Sequence, residues 1–112
     1  MEVIEMVEKN DELWLYFKND VTIRNGKSIY KELLRYLEKK KDTRFFFNEV
    51  KKVDVTFFQL ILSYKKSLEK EGKKVFCEIR KSGEFYQTMT LIGFGAECGF
   101  DYELVEGGTV NE

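Results

Sequence analysis

Residues 45–72 read FFFNEVKKVDVTFFQLILSYKKSLEKEG. Three consecutive phenylalanines, Phe45-Phe46-Phe47, leave no alternate wet face, so they predict a strand covered on both sides. A polar loop follows. Asp54 then stands directly before an apolar run, the place of a helix N-cap. Phe57, Ile61, Tyr64 and Leu68 recur at the helical period, and Leu60 widens the stripe. Lys65, Lys66, Glu69 and Lys70 read as the solvated side, and Gly72 as the C-terminal cap. A central strand thus feeds a helix whose exposed tip, residues 54–57, is the candidate working end.

Upstream, residues 1–7 and 13–17 are strand candidates joined by a short polar connection fit for a hairpin. In the second, Leu13, Leu15 and Phe17 alternate with Trp14 and Tyr16; with a helix over them the last two are simply core. The first is less regular and suits an edge. Residues 18–22 read as a loop, and a helix begins near 23–26. Its apolar positions are Ile29, Tyr30, Leu33, Leu34 and Leu37, with Lys27, Lys31, Arg35 and Glu38 on the other side. Lys39-Lys40-Lys41 then complements the helix dipole. Downstream, 74–79 is a strand, Ser82 offers an N-cap, and about 83–92 forms a helix with Phe85, Met89 and Ile92 inward. A short strand at 102–105 precedes a frayed tail.

The order β-β-α-β-α-β-α predicts an α/β fold: a mixed, mostly parallel sheet of four to five strands packed against three to four helices. The 112 residues suit one domain, residues 1–112, with a core at about 11–94 and a C-terminal segment at 95–112.

Composition narrows the function. A net charge of −1 gives no electrostatic reason to expect nucleic acid or an acidic membrane as partner. No apolar run approaches the ~20 residues that span a bilayer, and the acidic start MEVIEMVEKN lacks the features of a signal peptide, so the cytoplasm is the default. Cys77 reads as a small buried side chain and Cys98 as a residue of a glycine-bearing segment; neither suggests a disulfide framework or a zinc site. Histidine is absent, which removes His-based acid–base catalysis, the serine triad and imidazole metal ligation. Neither Gly93-Phe94-Gly95 nor Gly107-Gly108 follows a strand and opens a helix as a phosphate loop must. No catalytic residue, cofactor or metal is expected.

The helix tip carries the remaining chemistry. The Asp54 carboxylate can accept a backbone N–H from Thr56 or Phe57, a cap worth about 1 kcal/mol. The Thr56 hydroxyl then lies at the positive end of the helix dipole. A phosphate there would add about −2 of charge beside Asp54 and repel an acidic partner. On pattern alone the same residues read as a plain cap and a polar first turn, since an Asp-x-Thr triplet at a helix start is common.

Val53-Asp54-Val55-Thr56-Phe57-Phe58-Gln59-Leu60 is similar to the Asp-Ser-Ser-Gly signature and apolar helix of the STAS domains. That fold is shared by sulfate-transporter tails and bacterial anti-sigma factor antagonists. Asn19-Asp20-Val21-Thr22-Ile23 is similar to the segment that enters the family's first helix. The resemblance covers roughly residues 13–94. It departs at Val55, where the family has a serine, at Phe57, where it has a glycine, and at Thr22, where many switching members have an aspartate.

The resemblance implies a non-catalytic bacterial signalling and transcription-regulation module that binds a kinase-like anti-sigma factor or other signalling protein. It makes Thr56 the candidate phosphoacceptor, and Asp54, Val55, Thr56, Phe57, Phe58, Asp20 and Thr22 the candidate partner-binding residues. A second family role fits too: the accessory subunit of a lipid-trafficking ABC transporter, docked on its ATPase. A small nucleotide-binding enzyme is the remaining alternative.

Overall fold

Asn10 and Asp11, both with positive φ (55° and 64°), turn β1 (Ile4–Lys9) back onto β2 (Glu12–Asp20). Two central residues in that region make the tight hairpin turn whose twist matches its strands. The computed structural model describes residues 2–81, 83–94 and 102–105. Expectations placed on Met1, Ser82, Cys98 and the segments 95–101 and 106–112 lie outside the described residues. After β2 come a 3-10 turn (Ile23–Asn25), α1 (Gly26–Leu37), β3 (Thr43–Lys52), α2 (Val55–Lys70), β4 (Val75–Arg80), α3 (Glu84–Ile92) and β5 (Glu103–Val105).

The five strands lie in sequence order, β1-β2-β3-β4-β5; β1 is antiparallel to β2 and every other pair is parallel. This is the mostly parallel α/β sheet that the element order predicts. Each parallel crossover advances one strand in the same direction. A right-handed crossover then sets every helix on the same face of the sheet. Leu13, Leu15 and Phe17 of β2, Phe45 and Phe47 of β3, and Cys77 and Ile79 of β4 are buried on that face. Phe57, Phe58, Ile61, Tyr64 and Leu68 of α2, with Phe85 and Met89 of α3, fill the space above them. Rings carry much of this core. Phe47 stacks on Phe85 with centroids 3.9 Å apart, and Phe17 meets Phe57 edge-on at 5.0 Å.

One-sided winding corrects three expectations. Phe46, Trp14 and Tyr16 point to the other face, where no helix lies among the described residues. Phe46 is covered there by its neighbours instead: it stacks on Tyr16 at 4.6 Å and tilts against Trp14 at 5.3 Å. A run of three phenylalanines marks a central strand, and does not by itself require cover on both sides.

Other corrections are local. Residues 18–20 continue β2 rather than forming a loop, through register shifts between Tyr16 and Lys18 and between Asn19 and Asp20, with Asn19 at φ 62°. Such an irregularity bends a strand without ending it. In α1 the buried seam is Ile29, Leu33 and Tyr36, while Tyr30 and Leu34 turn outward. The apolar arc is broad, and periodicity alone does not say which of its edges faces the sheet. Lys65 is buried, its stem along the core and its ammonium 2.5 Å from Glu69 Oε2. Ile92 faces outward because Gly93 ends α3 in the left-handed conformation and brings Phe94 back over Phe58, at 4.8 Å. The cap position of α3 is Gly83. Gly72, at φ 79°, follows α2 as expected, and the amides of Gly72 and Lys73 return to Glu69 and Leu68.

Candidate functional site

β2 and β3 run parallel, so their C-terminal ends open side by side, where ligands of open α/β sheets are usually met. Val21 N donates to Lys52 O at 2.9 Å and holds the two chain exits together. From each exit leaves a loop of identical composition, Asp-Val-Thr.

In the first loop, Asp20 Oδ1 accepts both the Thr22 amide (2.9 Å) and the Thr22 hydroxyl (2.5 Å). The Thr22 Oγ1 in turn accepts the Arg24 amide at 3.4 Å and caps the 3-10 turn. Asn25 Nδ2 donates to Asp20 O at 2.7 Å. These bonds hold the Asp20 carboxyl below its usual pKa: first the Thr22 hydroxyl, then the Thr22 amide, then the charges of Arg24 and Lys52. Val21 lies in the core.

The second loop caps α2. Asp54 has extended backbone, and its Oδ1 accepts the Thr56 amide at 3.1 Å, as the sequence predicts. Its other oxygen reaches across the site: Oδ2 accepts the Ile23 amide at 3.0 Å. One carboxylate therefore clamps the starts of two helical segments. Thr56 is half-buried, with its methyl group toward α1; a Cβ added at Gly26 would sit 3.7 Å from Thr56 Cγ2. Its hydroxyl has no hydrogen-bond partner among the described residues. Val55 is 51% exposed at the rim.

Five of the seven candidate residues, Asp20, Thr22, Asp54, Val55 and Thr56, thus meet at one end of the sheet. Phe57 and Phe58 do not join them. Both are completely buried, because they fall on the side of α2 that packs against the sheet and α3. They anchor the tip from beneath and offer a partner no surface. Ile23, whose amide is bonded to Asp54, is instead 69% exposed at this end of the sheet. Its signal was available: an apolar residue next to a capping threonine that belongs to no helical stripe. Among the described residues no group of three or more acidic or cysteine side chains could hold a metal ion, and no helix is long and apolar enough to cross a membrane.

No protein-family model matches the sequence, and no curated protein matches it either. Solved structures match in shape. An anti-sigma factor antagonist from Mycobacterium paratuberculosis superposes with a TM-score of 0.74 at 8% identity, over 89% of this chain and 83% of that one. The anti-sigma factor antagonist SpoIIAA in its unphosphorylated form gives 0.63 at 9% identity, over 93% and 86%. The phosphorylated form of the same protein, described as a Bacillus cell fate determinant, gives 0.65 at 7% identity, over 93% and 92%. Identities this low speak for backbone geometry alone: the chain has the fold of these anti-sigma factor antagonists, the STAS fold that the resemblance predicts.

Proposed function

We infer that this chain is a non-catalytic protein-binding module of the anti-sigma factor antagonist type. It engages a kinase-like anti-sigma factor or other signalling partner through the two strand-end loops, and phosphorylation of Thr56 releases it. One observation carries this reading. Of the two threonines at the tip, only Thr56 has a hydroxyl without a partner among the described residues, on a tip where Ile23 and Val55 are exposed.

Apolar side chains at the rim suit a close, dry contact. A phosphate of charge about −2 beside Asp54 and Asp20 would disrupt such a contact by repulsion and by the cost of desolvating it. The buried Phe57 in place of the family's glycine stiffens the tip from below and leaves the hydroxyl accessible from above.

Incubation with the cognate kinase and ATP, followed by mass spectrometry, is expected to place one phosphate on Thr56 and none on Thr22. The phosphorylated protein and Thr56→Glu are both expected to lose the partner. Undiminished binding by Thr56→Glu, together with recovery of a transporter ATPase by Thr56→Ala, would replace this reading with that of a transporter accessory subunit.

A further inference from the structure

Behind the tip, an apolar groove of about 190 Å³ runs between α1 and α2. Tyr30, Leu34 and Leu37 form its α1 wall, and Leu60, Ser63 and Ser67 its α2 wall. Tyr30 is 51% and Leu34 43% exposed, one turn apart along the groove's edge. Nothing at the strand-end loops requires this exposure.

Lysines predominate along the rims of this groove. On α1, Lys27 and Lys31 stand a step around the helix from Tyr30 and Leu34. On α2, Lys66 and Lys70 line the adjoining recess together with Ser63 and Ser67. All four lysines are exposed, and none forms an ion pair among the described residues. Glu38, the C-cap of α1, falls on the same side of the helix as Lys27 and Lys31, while Glu71 is occupied by Lys40 at 3.6 Å. A chain with a net charge of −1 therefore concentrates positive charge around its exposed apolar groove.

We propose that this groove is a second docking surface, and that its occupant is an acidic amphipathic helix of a partner protein. Apolar side chains spaced i, i+3/i+4 and i+7 fill the gap between the walls, and carboxylates on both flanks meet the four lysines. Ser63 and Ser67, one turn apart and small, let a helix settle low against α2. A flat anionic membrane would meet the lysines but leave the groove unfilled. This surface is independent of the tip and of the function inferred for it.

Selection of binders to the full chain from a displayed library of helical peptides tests this. The expected winners have the i, i+3/i+4, i+7 apolar spacing with acidic flanks. Their affinity is expected to fall about ten-fold or more with Leu34→Asp, to fall with Lys27→Glu/Lys66→Glu and with added salt, and to stay unchanged with Val55→Asp. Tyr30→Ala, also at an exposed position, repeats the test should Leu34→Asp disturb α1, which circular dichroism reports. Selection of no binder, winners without acidic flanks, or winners insensitive to Leu34→Asp and Tyr30→Ala would overturn the proposal. So would Leu34-dependent binding to phosphatidylglycerol-containing vesicles in the absence of peptide binding.

Discussion

Asp20-Val21-Thr22 and Asp54-Val55-Thr56 are the same three residues at the ends of adjacent parallel strands, and the molecule uses them in opposite ways. In the first, the strand continues to Asp20, so Val21 drops into the core and Thr22 is bonded on both sides. In the second, Val55 is already the first residue of α2. At 100° per residue it stands about 200° from Phe57, so burial of Phe57 turns Val55 outward. Thr56 follows with its amide engaged by Asp54 and its hydroxyl without a partner among the described residues. One triplet closes the fold and the other presents a surface. The difference comes from where regular structure stops relative to the triplet, and not from the residues in it.

Removing side chains on the two sides of that divide should separate them most sharply. Phe57→Ala is expected to cost about 4 kcal/mol, and Val21→Ala about 2 kcal/mol. Val55→Ala should stay within about 0.5 kcal/mol. Urea titration reads all three, and a Val55→Ala as damaging as Val21→Ala would erase the contrast.

The clamp comes next. Asp54→Ala leaves the amides of Thr56 and Ile23 without their acceptor and is expected to cost about 1.5 kcal/mol. Faster hydrogen exchange at Ile23 as well as Thr56 would show that the effect crosses between loops; exchange confined to Thr56 would reduce Asp54 to an ordinary cap.

For the threonines, Thr22→Ala should lose about 1 kcal/mol through its cap. Thr56→Ala should be indistinguishable from wild type within about 0.5 kcal/mol. Equal losses would mean that the Thr56 hydroxyl is committed after all.

The smallest effect is one of pH. Asp20 is held below its usual pKa by Thr22, so its contribution is complete above the unfolded value of about 3.9. It is lost as pH falls through the lower folded value. The difference in urea midpoint between wild type and Asp20→Asn should therefore be present at neutral pH and close well below about pH 4. A difference that ignores pH would contradict the bonding seen at Asp20.

Much of this was legible before any coordinates. Alternation in 13–17 and the period of 57–68 gave element type, and Asp54 before an apolar run gave the cap, because these signals are local and repeat over several residues. Most of the misplaced residues share one cause. Phe57 and Phe58, Tyr30 and Leu34, Phe46, Trp14 and Tyr16 are all apolar, and their directions depend on which side of an element has a neighbour; Lys65 is the charged exception, its stem drawn into the core. Ile23 next to a capping threonine was legible, but that it joins the tip was not, since its tie to Asp54 spans 31 positions in the chain.

The amino-acid order, then, settled the succession of strands and helices, the cap at Asp54 and the two Asp-Val-Thr exits, since each rests on interactions within a few residues. Tertiary structure alone decided that successive right-handed crossovers put every helix on one face. It also decided that Thr22 is consumed while Thr56 is free, and that the lysines of two helices surround one groove. Those outcomes depend on the relative placement of distant segments, which local periodicity does not encode.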